Sequence, residues 1–196
     1  MDLFLAVLIA PFVVPAIAVI AAIIWFGDRG SPLYPNERMA KLDKPFHHLK
    51  FRTMRPDASD SGVSGGDKSD RITPIGHILR RTRLDELPQW WNVVRGDMSF
   101  VGPRPPLRLY AERFPELYQE VLRDKPGITG MATLVYHKTE ERLLAQCTTA
   151  QQTDTVYARH CVPRKAQIDI LYAKRRTVCS DLRLVLATVI RRLPPH

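Results

Sequence analysis

Cysteine is scarce in this sequence, which has three cysteines and no CxxC spacing. An odd number of cysteines without paired spacing argues against the disulfide framework of a small secreted domain and favours a reducing, cytosolic environment. The six histidines are scattered along the chain. Cys161 follows His160 directly, but no spacing supplies four ligands, so the pattern argues against a zinc site.

Acidic residues are in the minority, and the chain of 196 residues carries a formal net charge of +9. Such a basic chain is expected to meet an anionic partner, which can be nucleic acid, lipid headgroups or a phosphorylated substrate. The arginines form no single basic tail, and no nucleic-acid-binding motif is present, which disfavours nucleic acid. The length fits one domain with a modest core.

Charged side chains are missing from residues 3–26, which read LFLAVLIAPFVVPAIAVIAAIIWF. A helix of this length can cross a hydrocarbon core of about 30 Å. Asp2 stands where a signal peptide would have basic residues, and no cleavage site follows, so we expect a membrane helix that is retained. Basic residues after the helix predict that the rest of the chain is cytoplasmic. These residues are Arg29, Arg38, Lys41 and Lys44.

Two prolines, Pro11 and Pro15, lie inside this apolar segment and each removes a backbone donor. Two topologies fit the residues. In one, a kinked helix crosses the bilayer with its N-terminus outside. In the other, the helix bends back and both ends stay at the cytoplasmic face.

The chemistry of the chain concentrates in residues 85–105, DELPQWWNVVRGDMSFVGPRP. Neighbouring residues on a helix point about 100° apart, so Asp85 and Glu86 face different directions and suit different tasks, one as nucleophile or base and one as metal ligand. Pro88 is tolerated in a first helical turn, which places Asp85 near a helix N-terminus. Two prolines flank Arg104 and present it on stiff backbone for phosphate contact. The simpler interpretation is that Asp85 caps a helix and Arg104 pairs with a carboxylate.

This run resembles, nearly position for position, the signature of bacterial sugar transferases, the monotopic polyprenyl-phosphate phosphoglycosyl transferases. Further similar stretches are HHLKFRTM (47–54), TPIGHILRRTRLDELPQ (73–89), KPGITG (125–130) and IDILYAKRRT (168–177). The resemblance implies a mainly helical α+β fold with a small β-hairpin and amphipathic interfacial helices. It also implies a re-entrant membrane helix over residues 1–28, bent at Pro15, and a cytoplasmic catalytic domain over residues 29–196.

By the same resemblance, the chain transfers a sugar 1-phosphate from a UDP-sugar to undecaprenyl phosphate, at the cytoplasmic face of the bacterial inner membrane. Asp85 would form a covalent phosphosugar intermediate, and Glu86 would hold Mg²⁺. Asp169 would belong to the active-site group. The positions implied for phosphate binding are Lys50, Arg80 and Arg104. The competing hypotheses are a non-enzymatic membrane-anchored partner of polysaccharide assembly, a nucleic-acid-binding protein, and a phosphohydrolase that uses water as acceptor.

Flanking segments give local expectations. The pattern of residues 30–54 predicts a short β-hairpin or an extended connection, with His47 and His48 on opposite faces of a strand. The composition of residues 56–70 predicts a flexible surface loop. Trp90 and Trp91 suit either a membrane interface or the core, and Asp97 suits either a third metal ligand or a turn.

In the second half of the chain, the pattern of residues 106–124 predicts a helix that is interrupted at Pro115, and the KPGITG segment is expected to form a turn. The pattern of residues 134–166 predicts an added polar surface helix. The alternative is an element that determines donor specificity or a surface that binds a partner. Ser180 is expected to cap a last amphipathic helix that runs to about Leu193.

Overall fold

Helices dominate the computed structural model of the chain, which describes residues 1–56, 63 and 66–190. The helices are α1 (Asp2–Asp28), α2 (Pro74–Thr82), α3 (Gln89–Val94), α4 (Arg108–Arg113), α5 (Pro115–Val121), α6 (Met131–Ala145), α7 (Ala150–Val156), α8 (Val162–Arg175) and α9 (Val178–Ile190). The strands are β1 (Leu33–Lys41), β2 (Lys44–Phe51), β3 (Ser99–Val101) and β4 (Gly127–Thr129). This arrangement confirms the mainly helical α+β class.

Helix α1 contains a stretch, Asp2–Gly27, that is long and apolar enough to cross a membrane. Helical backbone continues from Asp2 to Asp28 through Pro11 and Pro15, so the helix is not interrupted at the expected bend. A proline removes one hydrogen bond and can kink a helix without ending it. The bend at Pro15 therefore stays a prediction.

Both ends of α1 pack against the same domain. Near its start, Asp2 Oδ1 accepts hydrogen bonds from Ser99 Oγ at 3.1 Å and from the Phe100 N–H at 3.3 Å. Near its end, the buried Ile24 packs with Phe51 and Leu79. Because both ends contact one domain, the structure is compatible with both ends of α1 lying on one side of a membrane.

The two tryptophans of α3 differ in environment. Trp90 Nε1 donates a hydrogen bond to the Ala6 carbonyl of α1 at 3.0 Å. Trp91 is 48% exposed. Packing therefore accounts for Trp90, whereas the interfacial role stays a prediction for Trp91.

Strands β1 and β2 form the expected hairpin, with antiparallel pairing from Leu33↔Phe51 to Lys41↔Lys44. His48 is 1% exposed, whereas His47 is exposed, as the alternation of a strand predicts. The hairpin carries Lys50 near the end of β2.

The KPGITG segment is not a simple turn, because Gly127–Thr129 is a strand that pairs in parallel with Ser99–Val101. The Gly127 N–H also donates to the Pro103 carbonyl at 2.9 Å, just before Arg104. Close backbone approach explains the glycine, since a Cβ on Gly127 would lie 2.1 Å from the Gly102 nitrogen. Such a contact depends on residues about 25 positions away, so no local turn signal reveals it.

Replacing Gly127 with alanine is expected to separate β3 from β4 and to lower the free energy of unfolding by about 1–3 kcal/mol. Thermal unfolding in detergent measures the effect. Gly27→Ala is the matched control, because a Cβ there meets nothing within 4 Å. Equal melting temperatures for the two variants would contradict the close approach.

Residues 134–166 are more than a surface addition. Their apolar side chains enter the largest core cluster together with Tyr110, Tyr118 and Val121. The buried contributors are Leu144, Tyr157, Ala158, Cys161, Val162 and Ala166. The surface-helix prediction is therefore wrong for this segment. Its apolar residues are distributed over α6, α7, a π-helical turn (Tyr157–Cys161) and α8. They form one apolar face only when these elements pack together.

Three local expectations about helix ends and loops are revised or limited. Thr177 rather than Ser180 caps α9, because Thr177 Oγ1 accepts from the Ser180 N–H while Ser180 Oγ accepts from the Thr177 N–H. The predicted end of α9 at Leu193 lies outside the described residues. Most of the predicted loop 56–70 also does, and Gly66–Arg71 forms a 3₁₀ helix.

The predicted interruption at Pro115 is confirmed, because α4 ends at Arg113 and α5 begins at Pro115. After α3, Gly96 has a positive φ of 80°.

Candidate active site

Asp85 and Glu86 occupy a single 3₁₀ turn, Leu84–Glu86, between α2 and α3. Arg83 has φ of 61°, in the left-handed region, and this residue ends α2 and redirects the chain. Pro88 precedes the first residue of α3, and no side chain caps that helix. The helix-capping interpretation of Asp85 is therefore wrong, and neither carboxylate caps α3. Each residue is 7% exposed.

Glu86 is the anchored member of the pair. Its Oε1 lies 2.6 Å from Arg104 Nη2, 3.0 Å from Lys50 Nζ and 3.7 Å from Arg83 Nη1. Burial alone would raise the pKa of Glu86, but Arg104 and Lys50 together hold that pKa well below its usual range. Glu86 is thus an ionised carboxylate in a fixed position.

Asp85 is held less tightly. Its Oδ2 lies 3.9 Å from Lys50 Nζ, and its buried Oδ1 has no hydrogen-bond partner among the residues that the structure describes. Burial raises the pKa of Asp85, and the charge of Lys50 opposes that rise. A buried carboxylate oxygen without a partner is costly unless a ligand or a reaction uses it.

Arg104 is presented as the sequence predicts, from a segment fixed on both sides. Pro103 accepts the Gly127 N–H, and the Pro105 carbonyl accepts from Arg38 Nη1 at 3.3 Å. Glu86 raises the pKa of Arg104, so the guanidinium is charged. Its buried Nη1 has no partner within the described part of the chain and remains a donor for an anion.

Arg80 lines the same cavity from α2. Its Nε donates to Thr53 Oγ1 at 3.0 Å, and Nη2 lies 3.0 Å from Met54 Sδ. Arg80 therefore faces the cavity beside the carboxylates without an ion pair that would neutralise it in the described structure.

Asp169 reaches the cavity from α8 and combines two tasks. Its Oδ1 accepts the Ala132 N–H at 3.1 Å, at the start of α6. Burial raises the pKa of Asp169 to about 7. Asp169 thus fixes α6 while facing the same cavity as Asp85.

All of these residues line one cavity of about 980 Å³. The six predicted site residues that line it are Lys50, Arg80, Asp85, Glu86, Arg104 and Asp169. The lining also contains polar residues that the sequence analysis did not assign to the site, among them Arg38, Arg83, Glu140, Tyr157 and Lys165. Arg83 could have been found from its place two residues before Asp85. The others lie far from the motif in sequence, and no local signal marks them.

Asp97 does not join the site. Its carboxylate lies 3.4 Å from Arg95 Nε and faces a separate small pocket that contains Lys125. The turn interpretation of Asp97 is therefore preferred to the metal-ligand interpretation.

Asp85 and Glu86 are the paired carboxylates that a Mg²⁺ ion would meet in this cavity. Mg²⁺ in phosphoryl-transfer sites is usually held by one or two carboxylates together with substrate phosphates. Asp85 offers a buried oxygen without a partner. The contacts of Lys50, Arg83 and Arg104 with Glu86 are all to Oε1. The described residues contain no group of three or more His, Cys, Asp or Glu that could hold a metal ion. The donor set fits a Mg²⁺ ion that is held jointly with a phosphorylated substrate.

Comparison with known proteins identifies the family to which the chain belongs. A family model described as bacterial sugar transferase matches residues 1–194. A UDP-glucose:undecaprenyl-phosphate glucose-1-phosphate transferase from Escherichia coli is 32% identical, over 97% of this chain and 39% of its own length. A protein of the same description from Caulobacter vibrioides is 35% identical, over 96% of this chain and 67% of its own. An exopolysaccharide production protein from Rhizobium leguminosarum is 33% identical, over 98% of this chain and 92% of its own.

The chain spans about a third to two thirds of the length of several other curated relatives that it matches. The match to the family model nevertheless covers nearly the whole of the present sequence and includes the residues of the cavity. The chain belongs to the bacterial sugar transferase family.

Proposed function

We propose that this chain transfers a sugar 1-phosphate from a UDP-sugar to undecaprenyl phosphate, giving a polyprenyl diphosphate sugar and UMP. The observation that carries the proposal is the contrast within the carboxylate pair. Glu86 is clamped by Arg104 and Lys50, whereas Asp85 beside it keeps a buried oxygen without a hydrogen-bond partner in the described structure. The substrates are those named for relatives that align with nearly the whole chain.

In the first step, an Asp85 oxygen attacks the phosphorus that carries the sugar. A P–O bond to Asp85 forms, the P–O bond to the second phosphate breaks, and UMP leaves with that bonding electron pair. Arg104, Lys50 and Arg80 bind phosphate oxygens and stabilise the charge that develops on them. The product is a phosphosugar joined to Asp85.

In the second step, a phosphate oxygen of undecaprenyl phosphate attacks the same phosphorus. The new diphosphate bond forms, the bond to Asp85 breaks, and the Asp85 carboxylate is restored. Splitting the exchange into two displacements lets one cavity serve the donor and the acceptor in turn. The lipid acceptor stays in the bilayer while the donor is soluble, which gives a reason for the membrane helix.

Glu86 would hold Mg²⁺ together with substrate phosphates. When bound, Mg²⁺ would neutralise diphosphate charge and stabilise the leaving UMP. Glu86 itself keeps Arg104 and Lys50 oriented towards the cavity.

The membrane arrangement that we propose is re-entrant, with residues 1–28 in the cytoplasmic leaflet and residues 29–196 in the cytoplasm. The contacts of Asp2 with Ser99 and of Ile24 with Phe51 support it, because each ties one end of α1 to the same domain. The basic residues after α1 favour the same side.

The test of this function is UMP release from a panel of UDP-sugars by the full chain in nanodiscs, with Mg²⁺ and undecaprenyl phosphate. Repeated turnover that requires the lipid and is confined to one or two sugars is the expected result, because without the lipid the reaction stops after the first UMP has left. Lipid-independent release of free sugar phosphate would support the phosphohydrolase instead. Folded protein that releases no UMP from any UDP-sugar would overturn the proposed donor class and favour the non-enzymatic partner.

Lys50 is expected to set the acid limit of the reaction. Asp85 must be ionised to attack, burial raises its pKa, and Lys50 opposes that rise. Lys50→Met removes this opposition, so the acid limb of the kcat/KM profile is expected to move to higher pH. The loss of a charged phosphate contact is also expected to lower kcat/KM by about 10- to 100-fold.

The matched control for Lys50→Met is Lys44→Met, because Lys44 is an exposed lysine on the same strand. Its pH profile is expected to equal that of the unmodified chain. An unshifted acid limb in Lys50→Met would show that Lys50 does not control ionisation of the nucleophile.

A further inference from the structure

A second polar group lines the cavity, supplied by α6 and α8. Lys165 Nζ lies 2.8 Å and 3.1 Å from the two carboxylate oxygens of Glu140. The side chains of Lys165 and Glu140 are 11% and 22% exposed, and both line the same cavity as Asp85. This ion pair is therefore shielded, fixed and accessible from the substrate cavity.

An aromatic ring completes this group. Lys165 Nζ lies 5.3 Å from the centroid of the Tyr157 ring and 3.5 Å from the Tyr157 hydroxyl. Tyr157 is 8% exposed and also lines the cavity. The group thus combines a carboxylate acceptor, an ammonium donor and a phenolic hydroxyl, all held by packing.

Phosphate binding does not explain this group. Lys165 is already neutralised by Glu140, whereas Lys50 and Arg104, which are assigned to phosphate, lie at Glu86. A neutral, hydroxyl-rich ligand is the complementary partner, because its hydroxyls both donate to a carboxylate and accept from an ammonium. In a UDP-sugar, the sugar is joined directly to the phosphate that Asp85 attacks, so the sugar ring must lie beside the phosphate site.

The position of the pair meets this requirement. The charges of Glu140 and Lys165 both act on Arg104, Glu140 attracting it and Lys165 repelling it. The pair and the guanidinium that is assigned to the phosphate also line the same cavity, so one bound ligand can reach both.

We infer that Glu140, Lys165 and Tyr157 bind the sugar hydroxyls of the donor and determine which UDP-sugar the enzyme accepts. The inference rests on the proposed function and adds to it the residues that select the sugar. Buried polar groups that are left unpaired by the wrong substrate give strong discrimination, which is why a fixed ion pair suits this task. It also gives a function to residues 134–166.

The experiment compares kcat/KM for UDP-glucose, UDP-galactose and their N-acetylamino counterparts in the full chain and in Glu140→Gln. The ratio between the preferred and the other sugars is expected to change by about tenfold or more. The affinity for UDP, which has no sugar, is expected to stay within twofold. Lys138→Met is the control, since Lys138 is an exposed residue of α6 outside the cavity lining.

Glu140→Gln leaves Lys165 without its carboxylate and can weaken folding. The double variant Glu140→Gln with Lys165→Met removes both charges and is expected to show a changed sugar ratio in protein with a near-normal melting temperature. Unchanged sugar ratios in both variants, or a parallel loss of UDP affinity, would overturn the inference while leaving the proposed reaction intact. Absence of turnover in the unmodified chain with every UDP-sugar would overturn the proposed function and the inference together.

Discussion

Asp85→Asn is expected to reduce UMP release from the preferred UDP-sugar by about 10³-fold or more, because removal of a covalent nucleophile removes the first step. Asparagine has nearly the same size, so packing in the 3₁₀ turn is retained. A quench experiment without lipid acceptor measures the intermediate directly. Label from the sugar phosphate is expected to stay with denatured protein in the unmodified chain and to be absent in Asp85→Asn.

The matched control for this variant is Asp97→Asn, because Asp97 pairs with Arg95 outside the cavity. Its rate and its labelling are expected to be normal. If Asp85→Asn retained more than a tenth of the rate, or if the label were found on Glu86, the roles of the two carboxylates would have to be reassigned.

Glu86→Gln is expected to damage stability and activity together. The substitution leaves the partly buried Arg104 and Lys50 without the ionised carboxylate that lies 2.6 Å and 3.0 Å from them. Removing one partner of a buried ion pair typically costs about 3–5 kcal/mol. Thermal or denaturant unfolding in detergent measures this loss, and UMP release is expected to fall because both phosphate-binding cations lose their orientation.

The pH dependence separates this effect from a general packing defect. The folded-state pKa of Glu86 is depressed, so its stabilising contribution is present above the usual carboxyl pKa and is lost as the pH falls through the folded-state value. The difference between the unmodified chain and Glu86→Gln is therefore expected to be largest at neutral pH and to shrink in acid.

Glu37→Gln provides the comparison for the loss of an ion pair as such. Glu37 lies 2.7 Å from Arg108, but its side chain is 47% exposed. An exposed pair of this kind contributes little to stability, because water screens it. Equal destabilisation by Glu37→Gln and Glu86→Gln would show that the ion pairs of Glu86 with Arg104 and Lys50 do not stabilise the fold more than an exposed pair does.

For Asp85 and Glu86, the sequence predicts the location of the site but not the difference between their environments. Residues 85–105 locate the site, and their resemblance to sugar transferases points to the roles of Asp85 and Glu86. The physical difference between these adjacent carboxylates comes from residues that are distant in sequence. Lys50 on β2 and Arg104 after β3 approach Glu86 Oε1 within hydrogen-bonding distance, whereas Asp85 Oδ1 is left without a partner in the described structure.

The sequence by itself determined the apolar α1, the β-hairpin, the carboxylate pair and the stiffly presented Arg104, because each depends on composition, alternation or fixed backbone angles within a few residues. Only the tertiary structure decided the parallel pairing of β3 with β4, the contacts of both ends of α1 with one domain, and the entry of Glu140, Tyr157 and Lys165 into the cavity. These features join segments tens of residues apart. Such contacts depend on how the assembled elements pack, so the local periodicity of the sequence does not predict them.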